Sequence, residues 1–327
     1  MKILILTGGA SPERSVALRS ADAVARALTE SGQSVAVLDI LRPIKQKELV
    51  FYTDYTDLKS ALSQSLKSNK DVARELHTDI FRAVKEADAV FLALHGGIGE
   101  NGTVQGMLDA FGVRYSGSSM LACATAMDKL STKNVYLQCG INTPQYTFYK
   151  KDDVKAPIPP KYPCVVKPAN GGSSIGVSFV YSPSALKIAV ETALKDSDTV
   201  LMEERIVGRE LSVSVLNDKA LAVTEIIPKN SFYDYESKYK LGASGEITPA
   251  PLSKDIYGRA MRIAENAHKA LKMRNFSRTD LILSEECGEI FALETNALPG
   301  MTETSILPQA ALFCGINMSD LCLKMLL

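Results

Sequence analysis

The feature that most constrains the fold is the texture of two short segments. Residues 2–6 (KILIL) and 88–94 (DAVFLAL) are apolar almost throughout rather than at alternate positions. A strand with one wet face alternates, so a strand apolar on both faces must be covered on both. The first run stops at Thr7 and Gly8 and leads into residues 11–31, where Val16, Ala17, Ala23, Val24, Ala27 and Leu28 recur at helical spacing before Gly32 ends the pattern. With another strand over 35–39, the first 125 or so residues alternate strand and helix, which predicts a parallel α/β sheet covered on both faces. The connection 41–87 is polar around LKSALSQSLKSNK and predicted helical over 71–85; it reads as an insertion on the domain surface.

A chain of 327 residues is too long for one core, and the pattern beyond residue 127 differs. Residues 128–207 carry a helix over 129–139, the connection APIPPKYP, a strand over 164–167, a glycine-rich loop and a helix near 184–194. From 208 to 327, ELSVSVL, KALAVTEII, RTDLILS and EIFALET alternate as antiparallel strands do, and a helix near 305–314 follows. The expected units are therefore 1–127, 128–207 and 208–327.

Lysine and arginine total 37 and aspartate and glutamate total 37, so the chain has no net charge to attract nucleic acid or an anionic surface. Phosphate recognition must then come from a few placed lysines and backbone amides. The six cysteines form no CxxC pair, and no histidine stands at zinc-ligand spacing from them. That predicts reduced thiols in a reducing interior. The opening apolar run is too short for a signal peptide, and nothing approaches the ~18 apolar residues of a membrane span. The expectation is a cytoplasmic protein with no membrane and no nucleic-acid partner.

Three glycine-rich turns follow strands. TGGASPER sets Glu13 at the start of the first helix, either as a first-turn acid favoured by the helix dipole or as a partner for a ligand's ammonium. HGGIGENG contains Gly97, Gly99 and Gly102 in GxGxxG spacing, but it follows a later strand and no acid closes the next one, so it is not a dinucleotide fingerprint. KPANGGSSIG places Lys167 at a strand end before a loop with Ser173 and Ser174. Val177 stands where a Walker lysine would be, yet a lysine ahead of bare amides and hydroxyls favours a phosphate cover over an empty tight turn.

Near the end, RTD and LETN sit on neighbouring strands. A hairpin between them brings Asp280 opposite Glu294, with Asn296 and Arg278 on the same face. Two carboxylates and an amide oxygen form a hard set suited to Mg²⁺ or Mn²⁺, and this reading is preferred to a plain cross-strand ion pair because the polar groups interrupt apolar strands. Arg278 is placed to stabilise charge in phosphoryl transfer. The loop ALPGMTETS leads to a helix start at Ser305 that offers amides to an anion.

In this order, GGASPERSVALRS, ALHGGIGENGTVQGMLDAFGVRYSGS, AMDK, CVVKPANGGSSIGVS, LMEERIVGREL, SFYDYESKY, SRTDLIL and LETNALPGMTETSILP resemble the D-alanine:D-alanine ligases of the ATP-grasp superfamily. The match spans almost everything except 41–87. The resemblance implies an ATP-grasp fold of two α+β subdomains preceded by the α/β domain. It implies two Mg²⁺ (or Mn²⁺) on Asp280, Glu294 and Asn296, and ATP phosphates met by Lys129 and Lys167 under the Ser173–Ser174 loop. Glu203, Arg205, Ile206 and Glu210 would line the adenine and ribose pocket; the family often has an aromatic or other large residue at Arg205. Glu13, with Ser173 and Tyr239, would take the first D-alanine's ammonium near His95. Arg278 and the Gly300 amide would stabilise the acyl phosphate and the tetrahedral intermediate, and Ser305 and Ile306 would bind the second D-alanine's carboxylate. A lid over about 228–245 carrying Lys238 and Tyr239 would exclude water. A homodimer joined through the N-terminal domain is implied as well.

Two rivals stay in the same class: D-alanine:D-lactate and D-alanine:D-serine ligases. In the depsipeptide-forming enzymes the lid tyrosine is typically histidine, so Tyr239 favours the dipeptide. A catalytically silent ATP-binding regulator would be expected to have lost Arg278 or Asp280, and both are present. His77 and His268 fall on helical segments and read as surface or packing residues.

Overall fold

The computed structural model describes residues 1–41, 49–65, 80–154, 157–228 and 244–326. In the first sheet β1 (Lys2–Thr7) lies between β2 (Ser34–Asp39) and β3 (Ala89–Leu92), all parallel. Ile3, Leu4, Ile5 and Leu6 are wholly buried, as continuous apolar strands require. The strand candidate near residue 113 amounts to one parallel bridge, Tyr115 beside Val90.

Helix Arg14–Glu30 covers this sheet through Ala21, Val24, Ala25 and Leu28. It begins three residues later than predicted: residues 11–13 form a turn, in which the Arg14 amide donates to the Ser11 carbonyl at 3.1 Å, and Glu13 is the residue at its N-terminal boundary. Gly32 stands just past its end with φ +79°, as the sequence suggested. The 41–87 connection does more than decorate the surface. Its described helices are Tyr55–Ser65 and Ile80–Lys85, and Leu58, Ile80, Ala83 and Val84 are buried in the domain core. Residues 71–79 of the predicted helix lie outside the described residues.

The middle sheet is antiparallel, in the order β4 (Tyr146–Lys150), β7 (Thr199–Glu204), β5 (Cys164–Pro168), β6 (Ser178–Val180). Helix Pro183–Ala193 packs Leu186, Ala189 and Val190 on its Cys164, Val166 and Met202 face. Sequence reasoning found β5 and this helix but missed β4, which is half wet, the three-residue β6, and β7, which ends in two glutamates.

The last sheet orders β10 (Ser244–Ile247), β9 (Lys219–Pro228), β8 (Gly208–Leu216), β11 (Phe276–Ser284) and β12 (Ile290–Asn296), all antiparallel. Helix Lys254–Ala270 covers it with Ala260, Ala264 and Ala267. Helix Lys129–Gln138 was expected in the middle unit, but its Tyr136 is fully buried with Leu211 and Val213 of this sheet. Tyr136 Oη also meets Thr295 Oγ1 at 2.7 Å, which fixes the helix against β12. The helix thus carries Lys129 and Lys133 to the seam between the two antiparallel sheets.

Helices Ile306–Phe313 and Met318–Leu326 return to the first core with Leu307, Ala311, Leu321 and Met325. Among the described residues no single helix is long and apolar enough to cross a membrane. These two approach that length only as a pair, bent by 107°, and turn Leu307, Ala311, Leu321 and Met325 into the core while Leu312 and Phe313 are exposed.

Candidate active site

The three sheets meet around one cleft of about 1030 Å³. Every site residue expected from the sequence that lies among the described residues lines it: Glu13 and His95 from the first domain, Lys129 from the helix docked on the last sheet, Lys167, Ser173, Ser174, Glu203, Arg205 and Ile206 from the middle, and Glu210, Arg278, Asp280, Glu294, Asn296, Gly300, Ser305 and Ile306 from the last part of the chain. Lys238 and Tyr239, with Tyr233 and Tyr235, lie outside the described residues, as does His77. The expected lid joins β9 to β10, which pair antiparallel from Pro228 opposite Ser244.

The Glu13 carboxylate makes no capping bond to its own helix and accepts the Ser173 hydroxyl at Oε1, 2.6 Å away. That bond ties the glycine-rich loop to the first domain across 160 residues of sequence. Gly96 is required beside it: φ is +64°, and a Cβ there would lie 2.7 Å from Glu13 Oε2. In the loop itself Ser173 and Ser174 hold φ of 55° and 58°, a sparse region for residues with a Cβ that is found where structure over-determines the backbone.

His95 is 6% exposed, and both ring nitrogens are engaged. Nδ1 lies 3.0 Å from the Leu298 carbonyl and Nε2 3.0 Å from Ser20 Oγ. A carbonyl only accepts, so Nδ1 carries the hydrogen; in the neutral ring Nε2 then accepts from Ser20, whose oxygen accepts the Met301 amide at 3.2 Å. Burial lowers the His95 pKa, which keeps this tautomer neutral. A hydrogen bond from His95 to a ligand would therefore have to displace one of these partners.

Glu100, which the sequence reading passed over inside HGGIGENG, is a second tie. Its carboxylate accepts the Gly96 amide at 3.0 Å and the Leu298 amide at 3.2 Å, joining the first-domain turn to the loop after β12. Burial, helped by the neighbouring Glu13 charge, pushes its carboxyl up to about 7.

The carboxylate cluster forms as the strand alternation predicted. Asp280 pairs with Glu294 and Arg278 with Asn296 across β11 and β12, with a bulge after Asp280. Arg278 is bidentate on Asp280, Nε to Oδ1 at 2.9 Å and Nη2 to Oδ2 at 2.7 Å. Ser212 donates to Oδ1 at 2.7 Å and Asn296 Nδ2 to Oδ2 at 3.2 Å. Lys129 Nζ lies 3.5 Å from Glu294 and also donates to the Gly171 carbonyl of the glycine-rich loop. Among the described residues no three His, Cys, Asp or Glu side chains cluster at metal-ligand spacing. A cation here would rest on two carboxylates and the Asn296 amide oxygen, with its remaining ligands from substrate oxygens or water. The all-oxygen set fits a hard divalent ion.

At the opposite wall Lys133 and Lys167 both approach Oε1 of the buried Glu203, at 3.0 and 2.9 Å. Both ammonium groups are within charge-assisted contact distance of that one oxygen. Burial acts to raise the Glu203 pKa, but the two ammonium groups outweigh it and hold the carboxyl below its ordinary value. The side chain of Arg205 turns onto the rings of Phe179 and Tyr181, 4.9 and 5.4 Å from their centroids, and donates to Tyr181 Oη at 2.9 Å.

Beyond Arg278, Gly300 packs tightly on the start of the next helix: a Cβ there would fall 2.6 Å from Ser305 Oγ. Ser305 precedes helix Ile306–Phe313, and its hydroxyl takes the Thr302 amide at 3.1 Å, which leaves the helix's first amides for an anion. Glu246 of β10, also missed by sequence reasoning, lines the same end and accepts Gln309 Nε2 at 2.7 Å. His268 belongs to packing; it is buried, with Nδ1 2.8 Å from Ser277 Oγ.

Comparison with known proteins covers the same ground. The family model of the D-ala D-ala ligase N-terminus matches residues 2–118, and that of the D-ala D-ala ligase C-terminus matches residues 135–327. The D-alanine–D-alanine ligase of Pediococcus pentosaceus is 37% identical over 338 aligned residues, covering 98% of this chain and 95% of that protein. That of Aquifex aeolicus is 37% identical, covering 98% of each. Among solved structures, the D-alanine–D-alanine ligase from Bacillus anthracis complexed with ATP superposes with a TM-score of 0.78 at 28% identity, covering 100% of this chain and 96% of that one. The VanG D-Ala:D-Ser ligase from Enterococcus faecalis superposes with a TM-score of 0.81 at 29% identity, covering 99% and 98%.

Proposed function

The chain belongs to the D-alanine–D-alanine ligase family, and from that premise we propose that it joins two D-alanines at the expense of ATP, through D-alanyl phosphate, for peptidoglycan precursor synthesis. The observation that carries this reading is the convergence of the expected residues from all three sheets on one cleft.

A carboxylate is a poor electrophile, so the first D-alanine is activated by transfer of the ATP γ-phosphoryl group to its carboxylate oxygen, releasing ADP. The second D-alanine's amine then attacks the acyl carbon, and phosphate leaves. Glu13, steadied by Ser173, takes the first ammonium and fixes that substrate's carboxylate in place. Arg278 presents a guanidinium to the developing negative charge, and the Gly300 amide does the same at the acyl oxygen. The amides at the start of helix Ile306–Phe313 take the second carboxylate beside Ser305 and Ile306. Lys129 and Lys167 meet the phosphates, with Ser173 and Ser174 covering them, and Glu203, Arg205, Ile206 and Glu210 enclose the nucleoside. Lys238 and Tyr239 are proposed to close the site and keep water from the mixed anhydride. Asp280, Glu294 and Asn296 are proposed to hold two Mg²⁺ or Mn²⁺ ions, which when bound would neutralise phosphate charge.

The protein is further proposed to be cytoplasmic, as its free thiols and its precursor-forming reaction suggest, and to pair as a homodimer through the N-terminal domain. Phe81 and Phe111, in edge contact at 5.0 Å on that domain's exposed surface, give an apolar patch there. Light scattering that returns a monomer at micromolar concentration would remove the dimer.

The test of the main reading is phosphate release by the purified protein with ATP and Mg²⁺, supplied with D-alanine alone or with D-alanine plus D-serine or D-lactate, with products weighed by mass spectrometry. The dipeptide from D-alanine alone is the expected product. Product only in a mixture would move the reading to the acceptor used by that mixture, a possibility kept in view by the close superposition with the VanG D-Ala:D-Ser ligase.

A further inference from the structure

Lys133 lies one helical turn beyond Lys129 on helix Lys129–Gln138, and its side chain is 0% exposed. A fully buried ammonium is retained only with compensating partners. Its partners are Thr143 Oγ1 at 2.6 Å, Glu203 Oε1 at 3.0 Å and the face of the Tyr146 ring 5.4 Å away. Thr143 spends its own hydrogen on the Ala292 carbonyl at 2.8 Å, so a lone pair is turned toward the ammonium and the arrangement has one direction.

Two lysines on one carboxylate oxygen are more positive charge than Glu203 needs, and they differ in access. Lys167 ends β5, lines the cleft beside the glycine-rich loop, and is open to an incoming triphosphate. Lys133 sits behind the wall and cannot follow a ligand. When phosphate draws Lys167 away, Lys133 is the counter-ion that remains. A buried carboxylate without one takes up a proton, and a protonated carboxyl donates as well as accepts. Held ionised, it only accepts.

We propose that Lys133 is a positioning residue for nucleotide recognition, which keeps Glu203 ionised and fixed so that the cleft accepts a purine bearing a 6-amino group and rejects one bearing a 6-oxo group. The inference rests on the reading of Glu203 as an adenine-pocket residue. Burial draws the Lys133 ammonium down to about 8, which still leaves it charged at neutral pH.

The test compares the whole wild-type protein with Lys133→Met, Lys133→Gln and Glu203→Gln, measuring ligation with ATP and with ITP. In Lys133→Met the KM for ATP rises by on the order of tenfold, kcat at saturation changes less than about threefold, and the ATP-to-ITP ratio of kcat/KM falls by about tenfold or more. Lys133→Gln, which keeps a donor for Thr143 and Glu203 but no charge, shifts the ratio in the same direction and serves where methionine does not yield folded protein. Loss of the ratio in Glu203→Gln alone, with both Lys133 variants retaining it, overturns the assignment and leaves the adenine reading standing. Retention in all three overturns both. A Lys133 variant that loses kcat while keeping the ratio has only a structural lysine there, which also overturns it.

Discussion

Replacing Glu100 by glutamine should reverse part of the pH dependence of stability. In the folded chain this carboxyl titrates near 7, against 4.5 for its ordinary value, because burial and the Glu13 charge penalise its ionised form. Below about 4.5 the group is protonated in both the folded and unfolded states and contributes no slope. Between 4.5 and 7 the unfolded chain gives up the proton while the folded chain keeps it, so stability falls as pH rises; above 7 the penalty is constant. A shift of this size corresponds to on the order of 3 kcal/mol, a ceiling because the side chain retains some access to water. Glutamine has the same shape and no titration. Its single amide oxygen serves one of the two backbone amides of Gly96 and Leu298, and the other loses its acceptor at a cost of about 1 kcal/mol at every pH. Thermal melting of both proteins from pH 5 to 8 gives the answer. The variant should be the less stable at pH 5, and the difference should close or change sign by pH 8, a relative movement of a few degrees. A difference that stays flat across that range, or moves the other way, refutes the placement of a buried, unneutralised carboxyl at the junction of the two loops.

Arg278→Met should lower kcat by about 10² to 10³-fold, with ATP binding measured by calorimetry nearly unchanged, because the guanidinium acts on charge that develops during reaction. Ser173→Ala should raise the KM for D-alanine by on the order of tenfold in steady-state kinetics, since Glu13 loses a 2.6 Å hydrogen bond, and raise the KM for ATP by less, since the loop keeps its backbone amides and Ser174 over the phosphates. Chelation with EDTA should abolish phosphate release, and either Mg²⁺ or Mn²⁺ should restore it, whereas Ca²⁺, which prefers longer bonds and more ligands, should restore much less.

What the sequence made legible was local and periodic. Asp280, Glu294, Asn296 and Arg278 could be set on one face because side chains alternate along β11 and β12, and the register bears this out. The two doubly covered strands of the first sheet were equally readable. What stayed hidden depends on packing between distant segments. The spacing of Lys129 and Lys133 reads as any solvated helix face, and only the docking of Tyr136 on Leu211 and Val213 turns Lys133 inward. Likewise Glu100 looked like a polar member of a glycine turn until the loop carrying Leu298 closed over it. His95 lines the cleft, but its engagement with Ser20 and Leu298 depends on residues 75 and 203 positions away.

The charges of the cleft suggest how such a site can be both stable and ready for a polyanion. Arg278 is paired with Asp280, Lys129 with Glu294, and Lys167 with Glu203, so the folded chain carries each of these cations beside a carboxylate. Leaving any of them buried and unpaired would cost several kcal/mol. Phosphate oxygens can take over these cations only by exchange, and the exchange is cheap where the carboxylate released has a new partner. Asp280 and Glu294 would find one in a hard cation carried with the nucleotide, which accounts for their pairing with the two cations nearest the reacting end. Glu203 is not among the three residues proposed to hold the cations. It is also the carboxylate with a second lysine beside it, and on the proposal made for Lys133 the asymmetry follows from the same requirement: an acid given no metal to trade for is given a cation that does not leave.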